Sequence, residues 1–154
     1  MEPPPLVVRD LVLVGGGHAH VYVVKMWGMR PLPGVRLTLV SRDVETPYSG
    51  MLPGLVSGLY SHEQCHVDLA RLCAWAHVRF LHASATGLRF SSGPPDLHAG
   101  ELELDGGRPP LRFDALSLDV GSTPSAAGVP GAGEKLAALE KGGMASAQTA
   151  NRIR

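Results

Sequence analysis

Apolar and β-branched residues dominate Leu6 to Val14, and a nearly continuous apolar run of that length reads as a strand buried on both faces, as in a parallel sheet. Gly15-Gly16-Gly17 ends it abruptly. From His18 to about Met29, Val21, Val24 and Met26 with Trp27 mark the buried face of a helix, which Pro31, Pro33 and Gly34 stop. Arg36 to Ser41 then alternates apolar and polar positions and predicts a second strand. Strand, glycine turn, helix, turn and strand make a βαβ unit, for which a right-handed crossover is expected.

Between Arg42 and Tyr60, Pro47, Gly50, Pro53, Gly54 and Gly58 rule out a long regular element, and a loop of this length in a compact domain is usually functional. Ser61 and Gln64 have capping-box spacing, so the pattern predicts a helix from His62 to about Trp75 with Val67, Leu69, Leu72 and Trp75 buried. Val78 to His82 reads as another strand. Short β segments at Thr86–Phe90, Glu101–Leu104 and Leu111–Phe113, broken by Gly93-Pro94-Pro95 and Asp105-Gly106-Gly107, suggest a small antiparallel excursion. Ala115 to Asp119 returns to a core strand, stopped by Gly121 and Pro124. Beyond it, Ser125 to Gly133 is linker-like, Glu134–Lys141 is weakly helical, and Gly142 to Arg154 has too little apolar matter to dock firmly.

Composition narrows the classes. The 154 residues are one domain's worth, and 19 Gly with 13 Pro make the chain rich in turns. Fourteen Lys and Arg balance fourteen Asp and Glu, which removes the clustered positive charge expected of a nucleic-acid or anionic-membrane binder. Two Cys give no disulfide framework, and no apolar run approaches the roughly 20 residues of a spanning helix. With no targeting pattern at Met1-Glu2-Pro3-Pro4-Pro5, a cytoplasmic protein is expected.

The strongest chemical signal is Val12-Leu13-Val14-Gly15-Gly16-Gly17, a strand running into a glycine turn that opens a helix. Such glycines let the backbone approach a pyrophosphate lying on the positive end of the helix dipole; the alternative is an ordinary glycine-rich turn. The third glycine of Gly-x-Gly-x-x-Gly would fall at His20, whose ring must fit between helix and strand. At the end of the second strand, where an acidic ribose ligand is expected, stands Ser41. Ser41 could bond the ribose more weakly, Asp43 or Glu45 could swing in, and Arg42 could pair with a phosphate; plain solvation of the strand end is the alternative. His18 either contacts a cofactor or is a solvated loop residue.

Cys65 and Cys73, eight residues apart and so roughly 12 Å along one helix, are too far apart for a disulfide and read as small buried hydrophobes. His62 and His66, four apart with Cys65 and Asp68 nearby, suit two zinc ligands, but no third ligand cluster with motif spacing is evident and a surface pair is the plainer reading. No Ser-His-Asp, Walker-type or paired-carboxylate arrangement stands out.

Three segments together carry a family resemblance: Leu-Val-Leu-Val-Gly-Gly-Gly-His-Ala-His-Val at 11 to 21, Thr-Pro-Tyr-Ser-Gly-Met-Leu-Pro-Gly at 46 to 54, and Phe-Asp-Ala-Leu-Ser-Leu-Asp-Val-Gly-Ser-Thr-Pro at 113 to 124. The chain resembles flavoproteins of the pyridine nucleotide-disulfide oxidoreductase class, within it the type II NADH dehydrogenase-like proteins, and more narrowly the flavoprotein domain fused ahead of selenide, water dikinase. The resemblance implies an α/β, Rossmann-like FAD-binding domain, a parallel sheet with a small antiparallel excursion, here incomplete. It divides the chain into an N-terminal extension at 1–8, a partial FAD/NAD(P)-binding domain at 9–124, and a linker with a flexible tail at 125–154.

By the same resemblance Gly15 and Gly17 match the glycines that approach the FAD pyrophosphate and Ser41 stands where relatives have an acidic ribose ligand, with Gly16, His18 and Arg42 as the candidate cofactor-binding residues beside them. Tyr48, Met51, Leu52 and Pro53 face the flavin ring, and Gly121 and Ser122 approach the phosphates. Asp119 and Val120 replace the first two residues of the relatives' Ala-Thr-Gly-Ser segment, and a carboxylate there is repulsive to phosphate, so Asp119 is expected to point elsewhere or to mark a weakened site. The relatives' second dinucleotide fold has no counterpart; Gly131-Ala132-Gly133 lacks the preceding strand. Two functions remain open: the FAD-binding part of an NAD(P)H-dependent oxidoreductase, with NAD(P)H and a quinone-like acceptor engaged only in a complete form, or a non-enzymatic truncated nucleotide-binding or interaction module.

Overall fold

A computed structural model describes residues 6, 9–92 and 99–121, and everything below refers to those. The chain divides into two compact units, the first built from residues up to Thr46 with Asp68–Gly121, the second from Pro47–Val67. In the first unit, β1 (Arg9–Val14), β2 (Val35–Ser41), β5 (Arg79–His82) and β9 (Ala115–Leu118) form a parallel sheet in the order β5-β2-β1-β9. α1 (His18–Met29) connects β1 to β2, the short strand β3 (Glu45–Pro47) follows β2, and α4 (Leu69–Trp75) precedes β5. The strands β6 (Ala85–Phe90), β7 (Gly100–Leu104) and β8 (Leu111–Phe113) make an antiparallel sheet before the chain returns to β9, as the pattern predicts.

Alternation along the central strands sorts the core into two layers. Leu13, Leu37 and Leu39 pack with Val24 and Trp27 of α1 and with Leu69 and Cys73 of α4. Their neighbours Val12, Val14 and Val40 point the other way, against Ala83, Leu102 of β7 and Phe113 of β8. Both faces of the sheet are therefore covered, which explains why β1 reads as a nearly continuous apolar run. At the N-terminal ends of these strands, ion pairs Arg36–Asp10 at 2.6 Å and Arg9–Asp114 at 3.1 Å close the bottom of the sheet. The hydrogen bond and charge of Asp10 raise the Arg36 pKa further.

The region 62 to 75 differs from its expectation. Instead of one helix, α3 (His62–Cys65) stops after four residues, β4 (His66–Asp68) is extended, and α4 starts afresh at Leu69. The capping box is present, with the Ser61 hydroxyl accepting from Gln64 N and the Gln64 side chain accepting from Ser61 N. A second cap competes with it: the Asp68 carboxylate accepts from Arg71 N at 2.8 Å and begins a new helix, with β-branched Val67 just before it. The break resets the helical phase, so Leu69 and Cys73 are fully buried while Trp75 is 53% exposed. Its indole edge lies over Gly28, where a Cβ would come within 2.4 Å of the ring. On α1 the buried positions are His20, Val24 and Trp27, and Met26, expected inside, is 40% exposed.

The break also removes the helical spacing argument for Cys65 and Cys73, yet both are free thiols. Burial pushes the Cys73 thiol up to about 11, so it is protonated and inert at neutral pH. Expectations for the linker, the helix at Glu134–Lys141, the tail and Gly131-Ala132-Gly133 lie outside the described residues.

Candidate functional site

The glycine turn sits where β1 ends, between the carboxyl ends of β2 and β9. Gly15 N donates to Val40 O at 2.8 Å and Asp119 N donates to Val14 O at 2.8 Å, so the sheet ladder holds the turn from both sides. Each glycine has an internal reason. Gly15 has φ +95°, and a Cβ there would lie 2.2 Å from the Asp119 carbonyl oxygen. At Gly16 a Cβ would meet Leu69 at 2.4 Å and the Ser41 hydroxyl at 3.4 Å. At Gly17 it would fall among the carboxyl atoms of Asp119, 2.2 to 2.3 Å away.

Of the two alternatives for Asp119, that it points elsewhere or that it marks a weakened site, the structure overturns the first, since the side chain points into the turn. Oδ2 accepts from Ala19 N at 3.0 Å and from His20 N at 3.3 Å, the free amides of the first turn of α1. Gly17 stands at the N-cap position and has no side chain to offer; a carboxylate from the end of β9, half-buried, caps the helix in its place. Its charge also meets the positive end of the helix dipole, an interaction worth about 0.3–1 kcal/mol. The attraction between carboxylate and helix end sets this geometry.

His20, in the third-glycine position, is 2% exposed and fits because both ring nitrogens are bonded. Nδ1 lies 2.8 Å from Gly15 O and Nε2 lies 2.9 Å from the Ser117 hydroxyl. A carbonyl only accepts, so in the neutral ring Nδ1 carries the proton and Nε2 accepts from Ser117. The ring thereby ties α1 to the turn and to β9. Sequence reasoning missed this clamp and the trans cap alike. The available signal was the pairing of an acid at the end of β9 with a capless glycine turn, and of a serine on β9 with a histidine in place of glycine.

Gly15, Gly16, Gly17, His18, Ser41 and Arg42 are brought together at this end of the sheet. Ser41 is 5% exposed and its hydroxyl accepts from Asp43 N at 3.2 Å, while Arg42 is exposed and pairs with Asp43 at 3.1 Å. His18 is exposed on the first turn of α1. Gly121 follows β9 with φ +69° and open space around its Cβ position, so the backbone conformation by itself calls for glycine there. Ser122 lies outside the described residues.

Tyr48, Met51, Leu52 and Pro53 belong to the second unit. There a 3₁₀ turn (Ser49–Met51) leads into α2 (Leu52–Val56), and Tyr48 N donates to Cys65 O at 2.7 Å. Tyr48 is 52% exposed, and Leu59 N closes a turn onto Gly54 O at 2.8 Å. His62 and His66 stack with ring centroids 3.6 Å apart, and His66 Nδ1 donates to the His62 carbonyl. Among the described residues no group of three or more His, Cys, Asp or Glu is placed to hold a metal ion.

Comparison with solved structures adds the following. The sulfide:quinone oxidoreductase of Aquifex aeolicus is similar with a TM-score of 0.59 at 22% identity, covering 73% of this chain and 24% of that one. NDH2 from Plasmodium falciparum in complex with NADH gives 0.56 at 14% identity, covering 82% and 25%. The covalent putidaredoxin reductase–putidaredoxin complex gives 0.55 at 22% identity, covering 80% and 28%. This likeness establishes the fold. The chain is an α/β, Rossmann-like domain and spans about a quarter of the length of these structures. No protein-family model and no curated protein matches the sequence. No helix among the described residues is long and apolar enough to cross a membrane.

Proposed function

We propose that the chain is the FAD-binding part of an NAD(P)H-dependent, NADH dehydrogenase-like flavoprotein oxidoreductase. The observation that carries this reading is the order of elements: β1, glycine turn, α1 and parallel β2, then an antiparallel sheet before β9 returns beside β1, a fold in common with three oxidoreductases. In this reading Gly15, Gly16, Gly17, His18, Gly121 and Ser122 lie toward the diphosphate and Ser41 and Arg42 toward the adenosine. Tyr48, Met51, Leu52 and Pro53 offer an apolar surface to the flavin ring, which supplies the redox chemistry when bound. NAD(P)H and a quinone-like acceptor would be engaged by a longer form, and the narrower likeness to the domain fused to selenide, water dikinase is part of the same proposal. A cytoplasmic location is proposed with it.

The turn fits the diphosphate only in part. Its glycines leave the backbone bare, but the amides of Ala19 and His20 already serve Asp119, so no electron-transfer step is assigned to this chain. The same observation favours a second reading, a non-enzymatic nucleotide-binding or interaction module. Purified protein titrated with FAD separates the two. The first reading predicts a flavin band that stays with the protein through gel filtration and a rise in Tm with excess FAD; a colourless protein with an unmoved Tm contradicts it.

A further inference from the structure

Asp119 is held where a ligand's anionic group is expected on the FAD reading, on which this inference rests. Its backbone is fixed by two hydrogen bonds, Asp119 N to Val14 O and Gly17 N to Asp119 O at 3.2 Å, so the carboxylate is presented by the sheet and not by a wandering loop. Its carboxyl group fills the space left by the missing Gly17 side chain and bonds two consecutive amides of α1. A phosphate oxygen approaching the same amides meets a full negative charge in van der Waals contact with the turn. Ligands without phosphate meet no such obstacle.

We propose that Asp119 is the specificity residue of this turn: it stands in for a phosphate at the N-terminus of α1, and the diphosphate of a dinucleotide enters only when the carboxylate swings away. Affinity for FAD is thereby set by the competition between two anions for the amides of Ala19 and His20. Of the three glycines, Gly17 makes room for the internal anion first, and for a ligand second.

The test compares the full chain with Asp119→Asn and Asp119→Ala. Asn keeps an oxygen able to cap the helix without the charge, so it guards against loss of folding; Ala clears the turn. FAD and riboflavin are titrated by quenching of flavin fluorescence. Both variants should bind FAD about tenfold more tightly than the unaltered chain, the scale of one helix-end anion interaction in a favourable site, with riboflavin affinity unchanged within about twofold. Equal or weaker FAD binding by both folded variants overturns the proposal. A parallel arm uses inorganic pyrophosphate and the thermal midpoint: millimolar pyrophosphate should raise Tm in the variants and not in the unaltered chain, and an equal rise in all three overturns it. Because pyrophosphate carries no flavin, that arm still decides on Asp119 if none of the chains binds FAD, an outcome that overturns the FAD reading alone.

Discussion

The glycine turn and the loop Pro47–Val67 are the two most distinctive stretches of the sequence, and they are built in opposite ways. At the turn every unusual residue is accounted for from within: the glycines by Asp119, Leu69 and Ser41, the buried His20 by Gly15 and Ser117. In the loop, Cys65 is the buried hydrophobic residue, whereas Tyr48, Val56, Leu59 and Tyr60 are 52%, 62%, 75% and 43% exposed. Its apolar character is not consumed by a core of its own. A glycine-rich turn points to a ligand only after its internal tenants are excluded, while apolar residues that leave themselves exposed are the stronger indication of something to be bound.

This contrast predicts unequal responses to the same change. Gly15→Ala should be the most damaging, because it combines a positive φ with a clash against fixed backbone; we expect a loss of about 2–4 kcal/mol in urea unfolding, with or without FAD. Asp119→Ala should cost about 0.5–2 kcal/mol as a lost helix cap, visible in the same experiment. Gly58→Ala in the loop, where φ is +77° but nothing lies near the added Cβ, should cost about 1 kcal/mol, the backbone cost alone. Tyr48→Ala should leave stability within about 0.5 kcal/mol and lower the affinity for FAD. Were Tyr48→Ala as destabilising as Gly15→Ala, the loop would be a structural element and the distinction between the regions would fail.

Much of the first unit was readable from the sequence, because buried parallel strands and their stops are local signals. The predicted helix His18 to Met29 and the strand Leu111–Phe113 have the same bounds in the structure, and β6 and β7 of the antiparallel excursion lie within a residue of the predicted Thr86–Phe90 and Glu101–Leu104. The long helix from His62 failed because two capping residues, Ser61 and Asp68, each offered a start, and periodicity cannot say that the first helix ends before the second begins. The exposure of Trp75 follows from that error of phase. At the site, the location of the turn was readable and its chemistry was not. The bonds from Asp119 to Ala19 and His20 span about a hundred residues of sequence, and they depend on β9 lying beside β1, which no local pattern reports.

The central claim is that the amides at the start of α1 are already engaged by Asp119. Amide proton shifts of Ala19 and His20 measure this directly, since hydrogen bonding to a carboxylate moves both downfield. In the unaltered chain both should lie downfield of ordinary helix N-terminal amides and both should move upfield in Asp119→Ala, with the shifts of β2 undisturbed. Amides of Ala19 and His20 that keep the same shifts in the two proteins would contradict the account and return the turn to a vacant phosphate cradle.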